Sequence, residues 1–352
     1  MKRLLILIFL TACAAPTGVQ GGTPSPELVS PPAETAIPVP YFAPVLESPV
    51  LARGPEGSWY AGSVEPGAVI FVDGAYHLFF NGIVDWPAKV AVGHATSPDG
   101  ITWTVDAAPL LDSAAGGFDG FTYFVSSVIQ LEGGEWAMYL YQADEGRDAS
   151  PGDILMATAP ALTGPWSLSP EPIITRGAPG AWDASRAAQP SVLRVGDEYR
   201  MYFSGYAGDT LQAGRAIGLA ASPDGYLWTK LPDPVLAPSD DPRAWDFRRV
   251  FQPRVIAVPE GFLMLYKSNI SVGRAEGWGF ASSLDGLAWS RSDTPVIDEY
   301  TYGVAWRRNG IADLIFVDGG LKLFLEILER EGGAYHHGNS AYYSNIYLFR
   351  EK

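Results

Sequence analysis

The feature that most constrains this 352-residue chain is an internal repeat of about 62 residues. One element reads Ala95-Thr-Ser-Pro-Asp-Gly-Ile-Thr-Trp103 and returns as Ala220-Ala-Ser-Pro-Asp-Gly-Tyr-Leu-Trp228 and Ala281-Ser-Ser-Leu-Asp-Gly-Leu-Ala-Trp289, with a variant from Ala157 to Trp166. Its tryptophans lie 63, 62 and 61 residues apart. A second element, Trp59-Tyr60, Phe118-Asp119, Trp182-Asp183, Trp245-Asp246 and Trp306-Arg307, keeps intervals of 59, 64, 63 and 61. Two independent signals sharing one period leave little room for coincidence. A period of this size belongs to units that stack on their neighbours to bury an apolar face.

Within each repeat the pattern is all β. Val69 to Phe80 is two apolar strands around a Val-Asp-Gly turn, and Val192 to Phe203, Val255 to Tyr266 and Leu314 to Leu325 repeat the design. The Ser-Pro-Asp-Gly-x-x-Trp element reads as a third strand, a tight turn and a fourth strand. Four antiparallel strands, five times over, predict a five-bladed β-propeller across residues 41–352. Ser48-Pro-Val-Leu-Ala-Arg-Gly54 before Trp59 matches Glu171-Pro-Ile-Ile-Thr-Arg-Gly177 before Trp182, so the domain begins with the tail of a repeat unit. The last unit lacks that tail. A strand near Tyr41 to Leu51 is therefore expected to complete the final blade and close the ring. The turn tryptophans Trp103, Trp166, Trp228 and Trp289 are expected to be substantially buried between or within blades.

The first 40 residues are different in kind. Met1-Lys2-Arg3 is a short basic segment, and Leu4 to Leu10 is an apolar run too short to span a bilayer. Leu10-Thr11-Ala12-Cys13 follows and resembles a bacterial lipobox, with the only thiol of the chain at the position that lipidation needs. Residues 1–12 read as a lipoprotein signal peptide, and 13–40 as a lipidated cysteine with a Pro/Ser/Thr-rich linker that keeps the domain off the membrane. The expected location is extracytoplasmic, with the membrane a partner through the anchor only.

Composition narrows the partners. Lys and Arg number 24 against 39 Asp and Glu, a formal charge of −15, so the basic footprint that nucleic acid requires is missing. There is no Gly-x-Ser-x-Gly, P-loop, cysteine pair or His-Glu-x-x-His, and His77, His94, His336 and His337 make no metal-ligand spacing.

The run of a Gly-x-Tyr hairpin, Ala-x-Ser-Pro-Asp-Gly-x-x-Trp and Pro-Val-Leu (as at Pro234 to Leu236) resembles the five-bladed propeller glycoside hydrolases of families 43 and 32. The resemblance covers residues 41–352 and implies carbohydrate as the partner, arabinosyl, xylosyl or fructosyl glycosides as substrates, and no cofactor beyond a structural calcium ion that the central channel of such propellers can hold. It also implies that the base or nucleophile precedes a proline at the start of the first inner strand. Glu65, before Pro66, is the match. Counting from Tyr76 and Tyr199, or from Trp59 and Trp182, instead sets Pro66 against Gln189. Family 43 next requires an Asp in blade two and a general-acid Glu in blade three; this chain has Ser126-Ser127 and Gln189, with Gln252 repeating the latter in blade four. An amide cannot donate the proton that glycosidic cleavage needs.

If the inner strands start on one face, the Asp-Gly hairpins and the turns at Asp99, Asp224 and Asp285 all lie on the other, where these aspartates are turn formers. Chemistry belongs to the face of the inner-strand starts. Glu65 is the candidate base or nucleophile there, with Asp119, Asp144 or Asp313 as acid. Tyr123, Ser126, Arg186, Gln189, Arg249, Gln252 and Arg308 are candidate substrate-binding residues, the aromatic rings of Tyr123 and Tyr206 offering sugar-stacking faces. The arginines of the repeated Arg-x-x-Gln-Pro have a second reading, pairing with Asp183 and Asp246 to tie blades together. Two functions follow: a cell-surface glycosidase with a rearranged carboxylate set, or a glycan-binding or surface-interaction propeller without catalysis.

Overall fold

The computed structural model describes residues 40–84, 90–112, 121–144, 152–208, 213–269, 276–298, 309–330 and 342–351, and among them every regular element is a strand. Residues 1–39, with Cys13, lie outside the described residues. The first strand, β1 (Phe42–Pro44), is set aside for the last blade. Blade one is β2 (Ser63–Val72), β3 (Ala75–Ile83), β4 (Val90–Ser97) and β5 (Thr104–Val105), with β6 (Leu111–Asp112) also paired to β4. Blade two is β7 (Phe121–Gln130), β8 (Trp136–Asp144), β9 (Ile154–Ala159) and β10 (Ser167–Leu168). Blade three is β11 (Arg186–Val195), β12 (Glu198–Tyr206), β13 (Arg215–Ser222) and β14 (Thr229–Lys230). Blade four is β15 (Val250–Val258), β16 (Gly261–Asn269), β17 (Glu276–Ser283) and β18 (Ser290–Arg291).

Blade five consists of β19 (Asn309–Val317), β20 (Gly320–Arg330) and β21 (Tyr342–Glu351), completed by β1, whose Phe42 faces Glu351 in register. The expected closure is what the structure shows. Leu51 bridges Ile346 as Ile174, Leu236 and Ile297 bridge the third strands of the other blades. The N-terminal segment thus supplies both the outer strand and the tail that the last repeat lacks.

The turns form as their sequences dictate. Asp99 Oδ1 accepts the N–H groups of Ile101 and Thr102, both at 2.8 Å, and Asp224 and Asp285 make the same pair of bonds in blades three and four. Those amide bonds hold all three carboxyls below the usual range. The turn tryptophans are half-buried, not largely buried as expected. Each lays one edge against an aromatic ring of the preceding blade and leaves the rest at the rim. Trp103 meets Phe324, Trp166 meets Phe79, Trp228 meets Tyr139 and Trp289 meets Tyr202, at 5.7–6.1 Å and nearly perpendicular. The remaining seam uses Phe42, fully buried and stacked on Phe280 of blade four.

Nearer the axis, side chains hydrogen-bond across every seam. Asn81 exchanges two bonds with the backbone of Val125. Ser127 Oγ accepts from Val192 N–H, Ser191 Oγ from Val255 N–H, and Ser204 Oγ from Gln252 N–H. Arg254 Nε and Lys267 Nζ donate to the carbonyls of Ala312 and Gly310. Asp313 Oδ2 accepts Val69 N–H at 2.5 Å, and Asp313 Oδ1 pairs with Arg254 at 3.2 Å, which carries the ring back to blade one. The Trp-Asp pairs are architectural too, but their partners differ from those expected. Asp183 binds Lys230 at 2.6 Å and Asp246 binds Arg291 at 2.8 Å, both within one blade, and Arg186 and Arg249 are not the partners. The neighbouring Trp182 lies so close to Gly205 that any Cβ there would collide with its ring.

Phe42→Ala should lower the free energy of unfolding by about 3–5 kcal/mol, since it empties a fully buried ring site at the closing seam; an unchanged urea midpoint would show that blade five closes without it. Asp313→Asn should cost about 3–5 kcal/mol by leaving the Arg254 guanidinium buried without its counter-charge, and the double variant Arg254→Met, Asp313→Leu should recover most of that loss. A double variant as unstable as the single one would mean the ion pair is not what matters there.

Candidate functional site

Each inner strand is interrupted near its start. The ladder slips at Gly67 in β2, Ser126 in β7, Gln189-Pro190 in β11, Gln252-Pro253 in β15 and Gly310-Ile311 in β19. In blades three and four the proline cannot donate to the ladder, and the preceding glutamine takes up the distortion, with φ of 54° at both Gln189 and Gln252. Non-glycine residues are rarely held there outside turns, and such strain collects at working sites. Gln189 Oε1 accepts the Tyr206 hydroxyl at 3.4 Å. Ser126 Oγ and Gln252 Oε1 are buried with no hydrogen-bond partner among the described residues.

The ladder settles the register of Glu65. Glu65 pairs with Asn81 and Pro66 with Phe80, while Ala188 pairs with Ser204, so Pro66 is the counterpart of Gln189 and Glu65 of Ala188. Glu65 is half-buried. It stands beside a floor made by Ile83 and Val90 of blade one, Phe124 and Tyr141 of blade two, and Ala188 and Tyr206 of blade three. Burial, followed by the charge of Glu65, pushes the Tyr141 phenol well up, and the guanidinium groups of Arg186 and Arg254 pull the other way. One phenol thus senses Glu65, Tyr206, Arg186 and Arg254, which groups side chains from blades one, two, three and four.

Asp313 sits in the channel wall. Burial raises its carboxyl to about 6, against the pull of Arg254 and of the amides of Val69 and Leu314, and burial likewise lowers Arg254. At neutral pH the pair is ionised, and its carboxylate is engaged by two donors from neighbouring blades. Asp144 ends β8 opposite Phe121, at the same end of the blade as Glu65. Asp119, Arg308, His336 and His337 lie outside the described residues. Tyr123 and Tyr206 are 8% and 3% exposed, so they are packed floor residues and do not present open ring faces for stacking. Arg186, Gln189, Arg249 and Gln252 are buried where blades three and four begin.

Three groups escaped the sequence reading. Tyr141 carries no motif. Arg254 directly follows Gln252-Pro253, a signal that was present. His77 Nδ1 lies 3.0 Å from His94 Nε2, whose Nδ1 lies 2.8 Å from Asp106, and burial lowers the His77 imidazole. Among the described residues no three of His, Cys, Asp or Glu converge as a metal-holding group.

Chemically, this face offers a half-buried carboxylate, a buried phenol, guanidinium groups and strained amides around an apolar floor, a set suited to hydroxyl-rich ligands. No protein-family model matches the chain, and no curated protein matches it in sequence. Solved structures share the fold. A complex of BT0996 with RGII aligns with a TM-score of 0.64 at 16% identity, over 90% of this chain and 92% of that one. A member of the GH130 family, described as mannoside phosphorylases containing glycoside hydrolases that target β-1,2 mannosidic linkages in Candida mannan, aligns at 0.62 with 15% identity, covering 91% and 95%. Zg3597, a family 117 glycoside hydrolase of the marine bacterium Zobellia galactanivorans, aligns at 0.60 with 16% identity, covering 88% and 90%. The chain therefore has the five-bladed fold of glycoside-hydrolase propellers.

Proposed function

We propose that this protein is a carbohydrate-active propeller that hydrolyses glycosidic bonds, with Glu65 as the carboxylate at the anomeric centre. The observation that carries this reading is the position of Glu65, half-buried at the start of the first inner strand beside Tyr141 on a face rich in buried polar side chains. Its neighbours in fold, glycoside hydrolases among them, support the same class of substrate. Hydrolysis needs a second carboxyl to protonate the leaving oxygen. Asp313 is a poor choice because Arg254 and Val69 already engage it. Asp144, at the end of β8, and Asp119, just before β7, are the better candidates.

The competing reading, a glycan-binding propeller without catalysis, draws on Ser126, Gln189 and Gln252, which stand where acidic residues would be needed. Glu65→Gln separates the two. Turnover of an aryl-glycoside panel should fall by about 10²–10⁴-fold with glycan binding retained. Turnover that survives the change removes Glu65 from the mechanism, and a wild-type protein that binds glycans without turning any over is a binder.

The same proposal places the domain outside the cytoplasm on a lipid anchor at Cys13, with residues 14–40 as the tether. Cys13→Ser should move the protein from the membrane fraction to the soluble one without changing its melting temperature; retention on salt-washed membranes would refute the anchor.

A further inference from the structure

Arg215 is absent from every motif in the repeat, and its surroundings are unusual. It opens β13 and pairs across the sheet with Tyr206, which in turn pairs with Arg186, so the three side chains share one face of blade three. Its guanidinium carbon is 4.3 Å from the ring centre of Tyr206 and 4.7 Å from that of Phe251 in blade four. Arg186 approaches the same tyrosine at 5.4 Å. A backbone bridge joins Arg215 to Arg249, so an arginine from the next blade adjoins it.

Arg215 is 8% exposed, and its Nε–H has no hydrogen-bond partner among the described residues. Nor does any carboxylate among them pair with it. Aromatic rings adjoin the guanidinium, but an aromatic ring accepts no in-plane hydrogen bond, so the donor edge that contains Nε remains unsatisfied. A guanidinium withdrawn from water without a counter-ion is costly in a native protein. Its edge of two parallel N–H donors matches a planar carboxylate better than any other biological group. The buried, strained Gln252, one residue beyond Phe251, has an unpartnered Oε1 that can accept from an adjacent hydroxyl.

We propose that the seam between blades three and four recognises a sugar carboxylate, and that the glycans this protein takes carry uronic acid residues. Arg215 binds the carboxylate through its Nε edge, and Gln252 accepts from a neighbouring ring hydroxyl. The inference rests on the carbohydrate reading above and specifies its substrate class. It also gives a reason for arginines to gather in a chain of net charge −15, which would otherwise repel an acidic glycan.

The test uses matched ligands: oligogalacturonide and oligoglucuronide panels, and the same oligosaccharides after reduction of their carboxyl groups to alcohols. With calorimetry on the full chain, an acidic oligosaccharide should bind about 10- to 100-fold more tightly than its reduced counterpart. Arg215→Gln should erase that ratio, and Arg215→Lys, which keeps the charge but not the fork, should recover only part of it. Equal affinity of the wild type for both forms overturns the proposal, as does an acid preference that survives in folded Arg215→Gln. Inorganic phosphate displacing the acidic oligosaccharide at equal concentration would show a free-oxyanion site and would also overturn it. If the reduced oligosaccharides and other neutral glycans bind while the acidic ones gain nothing, only this inference fails. If no glycan of either kind binds or turns over, the carbohydrate reading itself fails.

Discussion

The structure depends on the seams between its blades. A single four-stranded blade is too thin to bury its own apolar faces, so each must lean on a neighbour, and the chain makes this contact with two devices at two radii. Near the rim, an aromatic ring of one blade meets an aromatic ring of the blade before it, four times with a tryptophan from the Asp-Gly turn or its variant and once with Phe42. Near the axis, side chains on the first two strands satisfy backbone groups of the next blade. Without those bonds, the bulges on the inner strands would leave amide and carbonyl groups buried and unpaired.

This division of labour explains where chemistry can reside. Ser127, Ser191, Ser204 and Asn81 reach the adjoining backbone with short, neutral side chains, while blade four uses Arg254 and Lys267 and blade five answers with Asp313. The wall of the channel thus carries charge on one side. The same bulges that need these bonds push Gln189 and Gln252 into a left-handed backbone, and Glu65 stands beside the equivalent slip in blade one. Seam and site are made from the same few residues of each inner strand.

The fold was largely legible because a repeat multiplies weak signals. One Asp-Gly turn means little, but three with a tryptophan at a constant offset specify strand, turn and strand, and a missing tail at one end specifies who completes the ring. The site was less legible for a physical reason. Which face a strand residue takes depends on the bulge, and a bulge is decided by hydrogen bonds to another blade; hence Glu65 lies one position away from the Gln189 equivalent, in line with the tyrosine and tryptophan counts. Tyr141 and Arg215 matter only through neighbours distant in sequence. Local spacing also misdirected the pairing of Asp183 and Asp246, whose cationic partners lie on the outer strands of their own blades. The turn tryptophans are the inter-blade contacts that their spacing implied, but a residue at the rim has a neighbour on one side only, so it is half-buried.

Closure by the N-terminal strand also sets a schedule. Arg53 N–H reaches the Asn345 side chain across 292 residues of chain, and β1 lies still further from its partner β21. The outer strand of blade five is made before any other strand of the ring, and the three strands it must join are the last. Blades one to four can each form from contacts within about 60 residues, which are quick to find, whereas the closing seam must wait for the whole chain and bear the full entropy of a long loop. Until then, Phe280 has no cover and the third strand of blade five has a bare edge. For most of its synthesis this protein is an open arc, and its solubility in that interval depends on features of blade four that the finished ring conceals.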